Sequence, residues 1–176
     1  DFDFNGYISN LRVIKGTAVY TANFTPPTSA LTAITNTQLL LLTDNYSIVN
    51  STPTVLPVTI NGNTTISTAQ YPTGMTRSIY FDGTGDYLTT PSNAAFSFGT
   101  GDFTIECFFY SANLTNNGLL QISTDPTGFS TSLSNTTEVA VVSSKISIVV
   151  SGVVYINQGP TISTNTWTHV ALVRSS

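Results

Sequence analysis

The sequence predicts an all-β protein, an antiparallel β-sandwich or jelly roll, and three observations carry that prediction. No segment shows the apolar period of an amphipathic helix. Val, Ile, Thr, Tyr and Phe recur instead in short alternating runs that are closed by Gly, Asn, Pro or Ser. Hydrophobic side chains make up 40% of the 176 residues, which is enough to bury a core. Many short strands without helices are typical of two packed sheets.

Two strands are predicted in the first quarter of the chain. Residues 6 to 16, GYISNLRVIKG, alternate apolar and polar side chains, and residues 37 to 44, TQLLLLTD, are almost continuously apolar. The second pattern fits a strand that is buried on both faces. Between the two runs, Pro26 and Pro27 exclude a central strand and favour extended backbone, so we expect an ordered connecting loop there.

The next segment is more polar. Residues 45 to 74 are rich in Asn, Ser, Thr and Pro, and Asn61-Gly62 marks a turn. This segment is either a boundary between modules or a long excursion from one sheet to the other. Residues 78 to 90, SIYFDGTGDYLTT, follow it, and their two glycines predict a tight turn between two short strands.

The strand predicted over residues 102 to 110, DFTIECFFY, has two distinct faces. One face is expected to point into the core and carries Phe103, Ile105, Cys107 and Phe109. The opposite face carries Thr104, Glu106, Phe108 and Tyr110.

The last strands form a hairpin and a single strand. Residues 145 to 157, KISIVVSGVVYIN, hold two runs of β-branched residues around Ser151-Gly152, where glycine supplies the positive φ of a tight turn. Residues 166 to 174, TWTHVALVR, are the final predicted strand.

Composition excludes several classes of function. Charged residues are only 8% of the chain and the net charge is −4, so no basic stripe is available to bind nucleic acid or anionic lipid. Cys107 is the only cysteine, which excludes an intrachain disulfide and a multi-cysteine zinc site. The longest apolar stretches fall far short of the roughly 20 residues of a membrane helix, so no membrane insertion is expected.

Three strings carry a family resemblance: FNGYISNLRVIKGTAVYTANFTPP, SIYFDGTGDYLTTPSNAAFSFGTGDFTIECFFY and NTWTHVALVRSS. They resemble the concanavalin A-like, laminin-G-like jelly-roll domains that occur as tandem modules in structural and fibre proteins of marine bacteriophages, cyanophages above all, and in some bacterial surface proteins. The resemblance spans most of the chain outside residues 45 to 75. It implies the fold far more specifically than the function, because this fold hosts lectins, glycosidases and inert spacers alike.

The motifs stand in an unexpected order, because the GYISNLRV strand closes the family pattern but comes first here. We therefore expect residues 1–36 to be the C-terminal part of one module. Residues 37–76 then start the next module or connect to it, and residues 77–176 are its N-terminal part. An incomplete sheet needs its edge covered, by the rest of a longer tandem protein, by chain outside the ordered part, or by strands from a neighbouring copy. The alternative is a permuted single domain, in which residues 6–43 pair against residues 78–174.

No enzymatic activity is expected. A retaining glycosidase needs two carboxyl groups about 5 Å apart, and Glu106 and Glu138 are the only glutamates. The Glu-x-Asp-x-x-Glu strand that the resemblance to sandwich-fold glucanases would require is absent. His169, the only histidine, is expected to have a structural, hydrogen-bonded role, and Cys107 is expected to be a small buried side chain.

Two candidate binding sites remain. The face carrying Thr104, Glu106, Phe108 and Tyr110 is predicted to bind glycans, because aromatic faces with a few polar groups bind sugars. The alternative is that Phe108 and Tyr110 pack under a loop or a neighbouring module. Asp82 and Asp86 are the candidate ligands for Ca²⁺, the one cofactor considered, although turn chemistry is the default for aspartates between glycines.

The resemblance and the weakly charged surface together imply a virion-associated module of a tailed phage. Its expected role is structural and adhesive, in a fibre, a spike or a capsid decoration, outside cells on the virion. Expected partners are other virion or fibre subunits, further copies of itself and glycans on the host surface. The alternatives are a lectin-like binding domain, and a cell-surface adhesin or extracellular filament subunit.

Overall fold

The computed structural model of the chain describes residues 3–42, 48–50, 52, 56–123, 136–150, 153–156 and 159–176. In this part of the chain the only helical element is one 3-10 turn, Ala94–Phe96. The strands, in chain order, are β1 (Asn5–Lys15), β2 (Thr37–Leu42), β3 (Val49–Asn50), β4 (Thr59–Asn61), β5 (Thr65–Ser67), β6 (Ser78–Asp82), β7 (Tyr87–Thr89), β8 (Phe103–Tyr110), β9 (Asn116–Ile122), β10 (Thr137–Val142), β11 (Lys145–Val150), β12 (Val153–Ile156) and β13 (Thr168–Arg174).

The strands form two main antiparallel sheets. The larger has seven strands, with β1 at its centre, β8 and then β13 on one side, and β2 with β3 on the other. The first half of β1 also pairs with β6, which pairs with β5. The second sheet has four strands in the order β12-β11-β10-β9, and β4 pairs with β7 in a small separate ribbon. This arrangement confirms the predicted all-β sandwich.

The core lies between the two sheets. The seven-stranded sheet contributes the inward face of β8 and the four-stranded sheet contributes Leu119, Val139, Val141 and Ile148. The inward side chains of β8 are the predicted ones, namely Phe103, Ile105, Cys107 and Phe109. Face-to-face burial of this kind is the main stabilising contribution in a β-sandwich.

The other predicted strands are present, with one difference in pairing. The two strands in residues 78–90, β6 and β7, join different sheets, since β6 pairs with β1 and β5 whereas β7 pairs with β4. In β2, Leu39, Leu40 and Leu41 are all buried, as their continuous run predicts. Strands β11 and β12 pair as the predicted hairpin, and its turn at residues 151–152 lies outside the described residues, as do residues 43 and 44.

Strand β1 pairs with strands from the C-terminal half of the chain. Tyr7 lies opposite both Tyr80 and Tyr110, and Val13 lies opposite Ile105. Residues 6–15 therefore lie at the centre of the sheet that also contains β6, β8 and β13, which is the pairing expected of the permuted single-domain alternative. The division into residues 1–36, 37–76 and 77–176 as parts of successive modules remains a prediction about a longer protein.

A bulge at Asn10 divides β1. Asn10 has a left-handed φ of 54°, and the pairing of β1 with β8 shifts register between Ser9 and Arg12. Asparagine tolerates this conformation better than most residues, and the extra residue lets both Ile8 and Leu11 face the core. The same bulge turns Arg12 to the outer face, opposite Glu106.

The four-stranded sheet ends in an apolar edge. All four residues of β12 are exposed, and Tyr155 is 68% exposed. Strand β12 pairs with β11 on one side, and no pairing on its other side occurs within the described segments. Among the described residues, no helix is long and apolar enough to cross a membrane.

Candidate functional site

The outer face of the seven-stranded sheet carries the predicted site residues. Thr104, Glu106, Phe108 and Tyr110 alternate along β8 with the core residues, so they all point away from the other sheet. The connection between β1 and β2, residues 16–36, crosses this face and is called here the covering loop. It divides the outer face into a closed part around Glu106 and a partly open part around Tyr110.

Glu106 is fully buried and both of its carboxylate oxygens are engaged. Oε1 accepts hydrogen bonds from Nε and Nη2 of Arg12, at 2.8 and 2.5 Å. Oε2 accepts one from the Tyr20 hydroxyl at 2.7 Å and one from Nε2 of His169 at 3.0 Å. Arg12 is itself buried and also donates to the carbonyl of Thr32 at 2.8 Å. We call Arg12, Tyr20, Glu106 and His169 the carboxylate cluster.

The cluster shifts the titration of its members. Burial on its own raises the pKa of Glu106, but hydrogen bonds from His169, Tyr20 and Arg12, together with the Arg12 charge, outweigh burial and hold that pKa below its usual value. Burial and the neighbouring Glu106 carboxylate raise the pKa of the Tyr20 hydroxyl. Glu106 is therefore an anion and Tyr20 a neutral donor at neutral pH.

The covering loop is attached to β8 next to this cluster. The Thr104 hydroxyl accepts a hydrogen bond from the backbone of Val19 and donates one to the carbonyl of Thr17. Above the cluster, the Phe24 ring stacks on Tyr20 at 3.8 Å between centroids and meets the edge of His169 at 5.8 Å. These contacts close the Glu106 carboxylate off from solvent.

Three of the four predicted glycan-binding residues are buried. Thr104 and Glu106 are fully buried, and Phe108 is 6% exposed and packs on His169 at 4.7 Å between centroids. Burial of Phe108 agrees with the alternative in which Phe108 and Tyr110 pack under a loop or a neighbouring module, and that alternative remains a prediction. Tyr110 alone of the four is partly exposed. Of the four side chains, Tyr110 is therefore the one that solvent reaches.

Tyr110 belongs to a line of aromatic side chains that crosses four neighbouring strands. Tyr7 on β1 stands between Tyr80 on β6, at 5.0 Å, and Tyr110 on β8, at 5.9 Å. Trp167, immediately before β13, lies 5.6 Å from Tyr110. All four are partly exposed. We call Tyr80, Tyr7, Tyr110 and Trp167 the aromatic row.

The two predicted calcium ligands serve as turn residues. Asp86 is buried, and its two oxygens accept hydrogen bonds from the backbone N–H groups of Asn63 and Asp82, at 2.7 and 2.8 Å. Asp82 accepts from the backbone of Thr84 at 2.8 Å. Among the described residues, no group of three or more His, Cys, Asp or Glu side chains is arranged to hold a metal ion. Binding of calcium by Asp82 and Asp86 remains a prediction.

Glu138 occupies a different sheet from Glu106. It lies on β10 of the four-stranded sheet, is fully buried, and neither carboxylate oxygen has a hydrogen-bond partner within standard geometry. Burial raises the pKa of Glu138, and an interaction with the Thr136 side chain opposes part of that rise. The two glutamates thus belong to opposite layers of the sandwich and do not share a cleft. Cys107 is buried as predicted, and burial with the nearby Glu106 raises its pKa to about 12.

Most of the residues that define both parts of the face have no recognisable signal in the local sequence. Arg12 and Tyr20 lie more than 80 residues before Glu106, and no local pattern connects them. A usable signal did exist for Arg12, since a buried-strand pattern that contains an arginine demands a buried acidic partner. The aromatic row has no signal in any single strand, because each strand contributes one ring.

Comparison with known proteins gives one result. A family model described as the concanavalin A-like lectin/glucanases superfamily, a laminin-G-like model, matches residues 82–176. Comparison with curated proteins and with solved structures gives no match.

Proposed function

Because the chain belongs to the concanavalin A-like lectin/glucanases superfamily, we propose that it is a structural and adhesive module that binds carbohydrate without transforming it. One observation carries the proposal. The only glutamate on the outer face of β8 is saturated by Arg12, Tyr20 and His169, so its carboxylate has no free oxygen for a substrate. With a lowered pKa it is also not a proton donor at neutral pH.

The carboxylate cluster is proposed to hold the covering loop in place against β8. An ion pair that is buried and fully hydrogen-bonded holds two distant segments of chain in one geometry, whereas a general acid needs access to its substrate. The result is a rigid block whose outer surface is set by β1, β8 and the covering loop. Rigidity suits a fibre or an adhesin, because a preformed surface pays less ordering entropy on binding.

The finer part of the proposal is the biological setting. We place this module on the virion of a tailed phage, in a fibre, a spike or a capsid decoration, and the support is the resemblance of its three strings to modules of such proteins. A cell-surface adhesin or filament subunit with a lectin-like domain is the alternative. A weakly charged exterior suits both settings, because hydrogen bonds and stacking are screened by salt less than charge pairs are.

Self-association is also part of the proposal. The supporting feature is β12, which pairs on one side alone within the described residues and whose apolar side chains, Val153 to Ile156, are exposed. Such a strand is of the kind that pairs with a strand of another copy. Repeated copies would turn weak single contacts with a glycan into avidity. Sedimentation of the native chain and of Val154→Lys tests this part, and a monomer at all concentrations would contradict it.

The central experiment is a glycan-binding survey that also records chemistry. The whole chain is offered to an array of neutral and acidic glycans, first in dilute buffer and then at seawater salt. We expect retention on at least one neutral glycan that salt reduces by less than about twofold. Absence of binding to every glycan at millimolar protein would overturn the proposal, and so would release of products from a bound glycan.

A further inference from the structure

The aromatic row is a continuous feature built by strand register. Tyr7 is the direct cross-strand partner of Tyr80 on one side and of Tyr110 on the other, so the three rings must share the outer face. Trp167 extends the line by one strand. At the usual strand spacing of about 4.8 Å, four strands place the outer rings roughly 14 Å apart. That span corresponds to a short oligosaccharide lying across the strands.

The chemistry of the row favours a neutral, hydroxyl-bearing ligand. Tyrosine and tryptophan combine an apolar ring with a polar group, and no charged residue stands in the row itself. The next strand, β5, places the exposed Thr65 directly opposite Tyr80, so the line ends in a hydroxyl group. The indole Nε1 of Trp167 is itself buried and has no hydrogen-bond partner within standard geometry, so the part of Trp167 offered to a ligand is its ring.

The row also lies at the boundary of what the loops cover. Two residues away from the row along each strand, on the same face, the side chains are buried. They are Ser78, Ser9 and Phe108. The Ser9 hydroxyl donates to the carbonyl of Arg77, and the Ser78 hydroxyl donates to the carbonyl of Gln70. The chain thus closes the outer face up to the row and leaves the row itself partly exposed.

We propose that Tyr80, Tyr7, Tyr110 and Trp167 form a binding platform for a neutral oligosaccharide chain, which lies across the strands and stacks its sugar rings on the aromatic side chains. This inference rests on the proposed function, since it locates the surface that performs it. It replaces the predicted platform of Thr104, Glu106 and Phe108 and keeps only Tyr110 from it.

The single tryptophan makes the platform directly observable. Trp167 is the only tryptophan in the chain, so its emission reports on the row alone. The experiment titrates the whole chain with soluble linear oligosaccharides of glucose and of N-acetylglucosamine, while fluorescence and calorimetry are recorded. We expect a shift in Trp167 emission that saturates with the calorimetric signal.

Variants separate this site from others. Tyr7→Ala should weaken binding at least tenfold, whereas Tyr7→Phe, which keeps the ring, should retain most of it. The matched control lies in the depression of about 410 Å³ on the four-stranded sheet, which Lys145, Ser147 and Val154 help to line, and Ser147→Ala there should bind as the parent chain does. If Tyr7→Ala fails to fold by circular dichroism, Tyr80→Ala on the next strand makes the same test.

Three results would overturn the platform. Saccharide binding that leaves Trp167 emission and the row variants unaffected removes the platform but leaves the proposed function standing. No saccharide binding by the parent chain, here and on the glycan array, removes both. Self-association that is lost in Tyr7→Ala, without any saccharide binding, would show that the row is an interface between copies.

Discussion

Arg12 and Glu106 are 94 residues apart in the chain and form a buried ion pair in which one carboxylate oxygen accepts from two guanidinium nitrogens. The pair joins the two central strands of the larger sheet on the face away from the core. Its second oxygen holds Tyr20 of the covering loop and His169 of β13. One carboxylate thus connects three strands and a loop, and its removal is the most informative change to the fold.

Removal of the arginine leaves that buried carboxylate with Tyr20 and His169 as its remaining side-chain partners. We expect Arg12→Met to lower the free energy of unfolding by about 3–5 kcal/mol, because an unpaired buried charge is costly. The double variant Arg12→Met with Glu106→Leu should be destabilised by less than the sum of the single changes. Urea unfolding of the three variants measures this coupling, and strict additivity would contradict a direct ion pair.

The same pair predicts an acid-sensitive stability. The pKa of Glu106 is depressed in the folded chain, so its contribution is fully present above the unfolded value near 4.5 and is lost as pH falls through the folded value. Unfolding from pH 7 to pH 3 should therefore show a stability difference between the parent chain and Glu106→Gln that shrinks with acid. Asp102, whose pKa is lowered by hydrogen bonds from Ser176, is common to both chains and cancels in that difference. A difference that does not change with pH would contradict this account.

For Glu138 we expect the opposite dependence of stability on pH. Its pKa is raised by burial, so its folded form favours the proton and the chain loses stability as pH rises through the folded value. Replacement by the similarly sized Glu138→Met should stabilise the chain at pH 7 by about 1 kcal/mol, since it removes a buried carboxyl group for which burial outweighs the interaction with Thr136. The gain should decrease below pH 4, where the carboxyl group is protonated in both states. Thermal unfolding at the two pH values checks it, and destabilisation at pH 7 would show that the interaction with Thr136 outweighs the cost of burying Glu138.

The backbone at Gly74 packs closely against the covering loop, so a side chain at this position is expected to clash with it. It has a φ of 79°, and a Cβ atom there would overlap the carbonyl oxygen of Thr28 in the covering loop. Gly74→Ala should destabilise the chain by about 2 kcal/mol or more, from strain plus this clash. Gly85, with a φ of 69° and no atom within 4 Å of its Cβ position, is the matched control for strain alone. Equal losses in Gly74→Ala and Gly85→Ala would show that the covering loop does not pack there.

The sequence predicted those parts of the fold that depend on local pattern. Alternation along β8 placed Phe103 inward and Glu106 outward, and the run of leucines in β2 predicted burial on both faces. The pairing of strands could not be predicted in the same way, because no sequence pattern near β6 and β7 indicates that they join different sheets. The covering loop was predicted as ordered, yet its position over β8 depends on contacts such as Tyr20 with Glu106 across 86 residues.

The candidate site divides in the same way. The outward face of β8 was recognisable from its alternation, but which of its residues remain exposed depends on where the covering loop lies. Tyr110 stays accessible, whereas Phe108, two residues earlier, is buried against His169. The bulge at Asn10, which sets the register that brings Arg12 to Glu106, leaves no periodic signal that distinguishes it from an uninterrupted strand.

The most direct test of the central claim, that Glu106 fastens a loop and performs no chemistry, is a paired measurement on Glu106→Gln. Its free energy of unfolding and its retention on a bound polysaccharide are compared with those of the parent chain, and new reducing ends are counted in both samples. We predict a stability loss of about 3 kcal/mol, unchanged retention by the folded protein, and no new reducing ends from either chain. Reducing ends that appear with the parent chain and disappear with Glu106→Gln would contradict the account.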